Sequence, residues 1–197
     1  MNWRRVLLWL VLAAPAALMA WRVASGQATA FDLYHPTGEL SLRLMILALL
    51  PGPLSAFFGL RGVSGRFLSG WLAIRRNLGV AAFAYAGLHL CAYVADMGAL
   101  AAMTAELGLP GIWTGWIALA LLAVPAAIST DAAVRRLGRR WKLLQRAVYP
   151  ALALALLHWA LLDRAWLPAY IHLAPLLLAW SLRIAAQRGF RYRRSPT

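Results

Sequence analysis

The chain is poor in cysteine and in acid. It has one cysteine, Cys91, and six Asp and Glu against twenty Lys and Arg. A single thiol excludes an intrachain disulfide and any iron–sulfur or zinc centre built from cysteines; Cys91 reads as a small buried residue of a helix. No glycine-rich GxGxxG or GxxxxGK loop is present to cradle a phosphate. No stretch is long and polar enough to form a separate soluble catalytic domain. The net charge of +14 does not indicate a nucleic-acid binder, because the basic residues fall between apolar runs and not along one soluble face.

Apolar sequence is what the chain has in abundance. It is 62% hydrophobic, with a mean hydropathy of +0.66, too apolar for a soluble domain of this size. Six segments can be drawn, at 6–24, 40–60, 78–97, 112–129, 144–162 and 167–186. Each approaches the roughly 20 residues that a helix needs to cross about 30 Å of hydrocarbon. The expected fold is an all-α bundle of six transmembrane helices, forming one membrane domain over residues 1–197. The first twenty residues have the basic start and apolar centre of a signal peptide, but the run continues to Trp21 and reads as a retained first helix.

Basic residues set the expected orientation. Arg4 and Arg5 precede the first segment. Arg61, Arg66, Arg75 and Arg76 lie between the second and third, and Arg135, Arg136, Arg139, Arg140, Lys142 and Arg146 between the fourth and fifth. A basic tail from about 188 to 197 follows the sixth. The alternate loops carry Asp32, Glu39, Asp96, Glu106 and Asp163. Both termini are therefore expected in the cytoplasm. Pro15, Pro125, Pro150 and Pro175 within or beside the segments read as local kinks.

Two histidines, His89 and His158, lie inside apolar segments, where an ionisable side chain is costly and so a functional suspect. His89 is thirteen residues past Arg76 and His158 twelve past Arg146, which places both ~18–20 Å from the cytoplasmic edge at ~1.5 Å per residue. Two neutral imidazoles at one level on neighbouring helices are what axial ligation of a haem iron requires. Hydrogen bonding between helices is the structural alternative. His172, also in the outer half, reads as an interfacial histidine; replacing one of the pair, or contacting a haem propionate, is the other possibility. His35 reads as a loop residue, with a quinone or partner contact as its functional alternative. Arg43, just inside the second segment, is expected to pair with a haem propionate or an acidic residue. Trp141 and Trp166 read as interfacial belt, and Trp159 as belt or haem packing.

Several stretches together resemble a known family. They are His35-Pro-Thr-Gly-Glu39, Arg75-Arg-Asn-Leu-Gly79, Leu88-His89-Leu90 with Tyr93, the block from Arg136 through Leu-Gly-Arg-Arg-Trp to Tyr149, and Leu157-His158-Trp159. The chain resembles the MsrQ (YedZ) family of haem-binding membrane subunits, part of the ferric-reductase-like transmembrane group. The resemblance implies a b-type haem in the bacterial inner membrane, with His89 and His158 as its ligands. It implies electrons arriving from a cytoplasmic flavin reductase or the quinone pool, and leaving for a periplasmic molybdenum-cofactor reductase that repairs methionine sulfoxide. The family usually has a further histidine where this chain has Gln145; a neutral amide is a poor haem ligand, so one haem per monomer is expected. Arg75, Arg76, Arg139 and Arg140 read as positive-inside anchors, with a pocket for haem propionates or the phosphate of FMN as the sharper alternative.

The expected function is thus an electron-transfer subunit with no substrate chemistry of its own. Two rivals stand beside it. One is a stand-alone quinol- or ferric-reducing cytochrome b. The other is a non-redox small transporter or assembly factor with structural histidines.

Overall fold

The computed structural model describes residues 3–192, with side chains through Arg188. Past Arg188 the side chains of the expected basic tail, including those of Arg191, Arg193 and Arg194, lie outside that description. The described residues form helices and connecting turns, with no strand.

Ten α-helices follow one another among the described residues: α1 Trp3–Ala24, α2 Tyr34–Leu49, α3 Pro51–Phe58, α4 Gly62–Met97, α5 Leu100–Glu106, α6 Pro110–Ala127, α7 Asp131–Leu137, α8 Arg139–Gln145, α9 Val148–Leu162 and α10 Leu167–Tyr192. A 3₁₀ turn, Phe31–Leu33, leads into α2. Proline sets two starts. Pro51 opens α3 and Pro110 opens α6, where the missing N–H would be unpaired in any case. Gly98 ends α4 in the left-handed conformation at φ 64°, which a side chain would disfavour.

Among the described residues, five stretches are long and apolar enough to cross a membrane: Trp3–Ala24, Phe31–Phe58, Gly62–Met97, Pro110–Ala127 and Leu167–Arg188. Of the six expected segments, 144–162 falls short of that length. Its helix, α9, has 15 residues, or about 22 Å, because α8 closes at Gln145 and a turn through Arg146 and Ala147 precedes α9. The stretch between the second and third segments is also not the loop that its arginines suggested. α4 begins at Gly62 and runs for 36 residues, so Arg66, Arg75 and Arg76 ride on its first half. The fourth-to-fifth connection likewise folds into α7 and α8; Thr130 caps α7 by accepting from the Ala133 N–H at 3.1 Å.

Two tight helix pairs build the interior, α2 with α4 and α6 with α9; α10 packs across α2, α3 and α9. Small side chains let the backbones approach. Ala82, Ala151, Ala160 and Ala179 are fully buried, with Met45, Leu152 and Leu176 filling between them. α1 buries none of its residues. It is clipped to α4 at its proline, where the Tyr85 hydroxyl donates to the Leu12 carbonyl at 2.7 Å and accepts from the Ala16 N–H at 3.2 Å.

Candidate cofactor site

Each tight helix pair carries one of the two intramembrane histidines. His89 lies on α4 against α2, and His158 on α9 against α6. Their ring centroids are 6.0 Å apart and their planes cross at 90°. In each ring Nδ1 faces a backbone carbonyl: Tyr34 O at 3.1 Å from His89 and Gly111 O at 2.5 Å from His158. A carbonyl only accepts, so each bond requires the proton on Nδ1 and leaves the Nε2 lone pair available. The buried Thr37 hydroxyl also lies 3.3 Å from His89 Nδ1, while donating to the Leu33 carbonyl at 2.5 Å.

Glycines make room for the rings. A Cβ at Gly115 would stand 2.5 Å from His158 Nδ1, and one at Gly38 3.4 Å from His89 Nδ1. Gly115 therefore admits its histidine by having no side chain, whereas Gly38 sits at ordinary contact distance.

Both rings line a cavity of about 510 Å³, within the usual range for a small-molecule or cofactor pocket. Its walls change character along its length. Met45, Ala86, Ala118, Leu122 and Ala151 make one end apolar; Tyr34, Tyr93, Asp96, Glu106 and Asp163 line the other. The Tyr34 hydroxyl donates to Asp96 at 2.8 Å and that of Tyr93 to Glu106 at 2.9 Å. Trp159 Nε1 donates to Asp163 at 2.6 Å, and His35 Nε2 approaches the same carboxylate at 3.8 Å.

The donor set fits a metal that brings its own equatorial ligands. Among the described residues no group of three or more His, Cys, Asp or Glu side chains converges as a metal centre would need. Two imidazoles alone complete a macrocycle-bound iron but not a bare ion. Their spacing also fits: with metal–nitrogen bonds of about 2 Å, two rings on opposite sides of one metal have centroids roughly 6 Å apart. A Nδ1–H held by a backbone carbonyl is the usual support for a metal-ligating histidine.

The other expected site residues lie elsewhere. Arg43 donates from Nε to His172 Nε2 at 3.1 Å and from its terminal nitrogen to Glu39 at 2.5 Å. His172 Nδ1 is bonded to the Pro168 carbonyl at 2.8 Å, so both its nitrogens are engaged. Gln145 donates to the Pro125 carbonyl at 3.1 Å and Trp141 to the Ile128 carbonyl at 3.0 Å, satisfying carbonyls that the end of α6 leaves open. Arg76 pairs with Asp131 of α7, whose carboxyl is held below its ordinary range first by that hydrogen bond and then by the charges of Arg76, Arg135 and Arg5. Arg75 is exposed. None of Arg43, Arg75, Arg76, Gln145 and His172 lines the cavity of the histidine pair.

Sequence reasoning passed over the groups that hold the rings: Tyr34, Thr37, Gly38, Gly111 and Gly115. Two signals were there to find. Thr37 and Gly38 belong to the His35-Pro-Thr-Gly stretch. Gly111 and Gly115 form a GxxxG spacing in an apolar helix, a mark of close helix approach.

Apolar helices of membrane-crossing length define the class, a helical membrane protein, and the comparisons with known proteins narrow it. The profile described as "Ferric reductase like transmembrane component" matches residues 37–156. The chain is 34% identical over 191 residues to the protein-methionine-sulfoxide reductase heme-binding subunit MsrQ of Brucella anthropi, covering 92% of this chain and 82% of that one. It is 36% identical over 172 residues to the MsrQ of Rhizobium meliloti, covering 84% and 74%. The chain belongs to the ferric-reductase-like transmembrane family, and within it to the MsrQ subunits. No solved structure matches it.

Proposed function

We propose that this chain is the haem b electron-transfer subunit of a methionine sulfoxide reductase system in the bacterial inner membrane. The observation that carries the reading is the pair of imidazoles: both Nδ1 atoms bonded to carbonyls, both Nε2 atoms left to ligate, at a spacing that suits one metal. His89 and His158 would hold the haem iron through Nε2. A bound haem b supplies one-electron transfer between ferric and ferrous iron. The carbonyls of Tyr34 and Gly111 fix each ring's tautomer and direction. The apolar end of the cavity would keep water from a bound haem.

In this reading α9 completes six membrane crossings as a short span, residues 1–197 act as one membrane domain, and both termini lie in the cytoplasm. The basic first half of α4, with α7 and α8, then faces a cytoplasmic flavin reductase or quinol as donor. The acceptor is a periplasmic molybdenum-cofactor reductase. Reporter fusions after Lys142 should read cytoplasmic and fusions at Arg164 periplasmic; the reverse at Arg164 overturns the topology.

Reoxidation of the reduced haem in membranes tests the function. Methionine sulfoxide should reoxidise it only when the molybdenum reductase is co-expressed. Reoxidation at the same rate without that reductase favours a stand-alone cytochrome b, and absence of any b-type spectrum refutes both.

A further inference from the structure

The two rings are held with crossed planes, and one residue leaves His158 little choice. Gly115 stands on α6 one helical turn after Gly111 and beneath the His158 imidazole. A Cβ there would lie 2.5 Å from Nδ1 and 2.6 Å from Cε1, well inside van der Waals contact. The ring cannot back away along its own plane without losing the 2.5 Å bond to the Gly111 carbonyl. On the opposite side of the cavity His89 is fixed by Tyr34 O and neighboured by Thr37. The planes meet at 90°.

We propose that Gly115 is a positioning residue that sets the plane of the His158 imidazole perpendicular to that of His89, so that the site imposes crossed axial ligands on its iron. The inference rests on the haem reading above. Parallel imidazole planes overlap one of the two iron d orbitals of π symmetry more than the other and separate them in energy. Crossed planes act on both nearly equally and leave them close. The electronic state of the ferric iron therefore reports ring orientation, which overall stability does not.

The test is low-temperature electron paramagnetic resonance of the purified, oxidised full-length protein. The wild type should show a strongly anisotropic low-spin signal, with its largest g value displaced to low field, and not the rhombic three-line signal of parallel imidazoles. Gly115→Ala should shift that signal towards the rhombic form or lose haem. Gly70→Ala, on α4 with nothing within 4 Å of where its Cβ would lie, should keep it. A rhombic wild-type signal overturns the inference and leaves haem binding standing. A Gly115→Ala signal identical to wild type also overturns it. Protein without haem in the wild type overturns this inference and the function together. If Gly115→Ala does not accumulate, the wild-type signal decides: anisotropic supports the crossed planes, and rhombic rejects them.

Discussion

His89 and His158 reach one cavity from cradles of different tightness. His89 has two polar neighbours at Nδ1, the Tyr34 carbonyl at 3.1 Å and the Thr37 hydroxyl at 3.3 Å, with Gly38 at ordinary contact. His158 has a single, shorter bond to Gly111 and lies against the bare backbone of Gly115. One ring is steered by hydrogen bonds and has space to adjust. The other is steered by shape and has almost none. The same chemical task, presenting a neutral Nε2, is met by two local solutions because the helix pairs differ: α2 brings a buried threonine beside its ring, while α6 brings a GxxxG face.

The largest expected effect removes a ring. His89→Ala and His158→Ala should each abolish or severely deplete bound haem, measured as haem per protein after purification. His172→Ala should keep most of it, since both its nitrogens are already bonded to Arg43 and Pro168. Loss of haem in His172→Ala with retention in His158→Ala reverses the assignment of the pair.

A smaller effect is expected from Thr37→Val. The buried hydroxyl bonds to Leu33 and lies by His89, so its loss should cost about 1 kcal/mol of stability and lower the melting temperature, with haem retained. Haem loss as complete as in His89→Ala would show that the hydroxyl, and not the Tyr34 carbonyl, is what holds the ring.

Gln145 ends α8, just before the start of α9, the helix whose far end carries His158. It caps the end of α6 through Pro125 and has no place at the cavity, so Gln145→His should bind no more haem than the parent. A second haem in that variant would show that a pocket exists there and lacks only its ligand.

The smallest expected effect is at the exposed Arg76–Asp131 pair. The Asp131 carboxyl is held below its ordinary range by Arg76. Its stabilising contribution is therefore present above the ordinary carboxylate range and fades as the pH falls through its lowered value. Asp131→Asn should lower the melting temperature slightly at neutral pH, with the difference from the parent vanishing in strong acid, and should leave the haem spectrum unchanged. A spectral change would tie this surface pair to the cavity.

How much of this was legible in the sequence differs by residue. The meeting of His89 and His158 was legible, because each could be counted upward from an arginine along a helix of known rise. The helical class followed from apolar content alone. Segment lengths were less legible: Arg66, Arg75 and Arg76 break the apolar run and hide that α4 begins at Gly62, and hydropathy does not show the turn that shortens α9. An acidic partner for Arg43 was legible and is Glu39, but the partner of Gln145 was not, since it depends on which helix lies alongside. Glu39 is one turn from Arg43, but His172 is reached only because α10 crosses α2. The cradles were hidden for the same reason. A glycine spacing indicates that something comes close, and only the packed helices show that it is an imidazole.

The most direct test of the account is haem stoichiometry on fully loaded, full-length protein, with its reduced-minus-oxidised spectrum. One low-spin b-type haem per chain is the expected result, since one pair of facing imidazoles can hold one iron. A ratio approaching two, or a chain that takes up no haem, would contradict it.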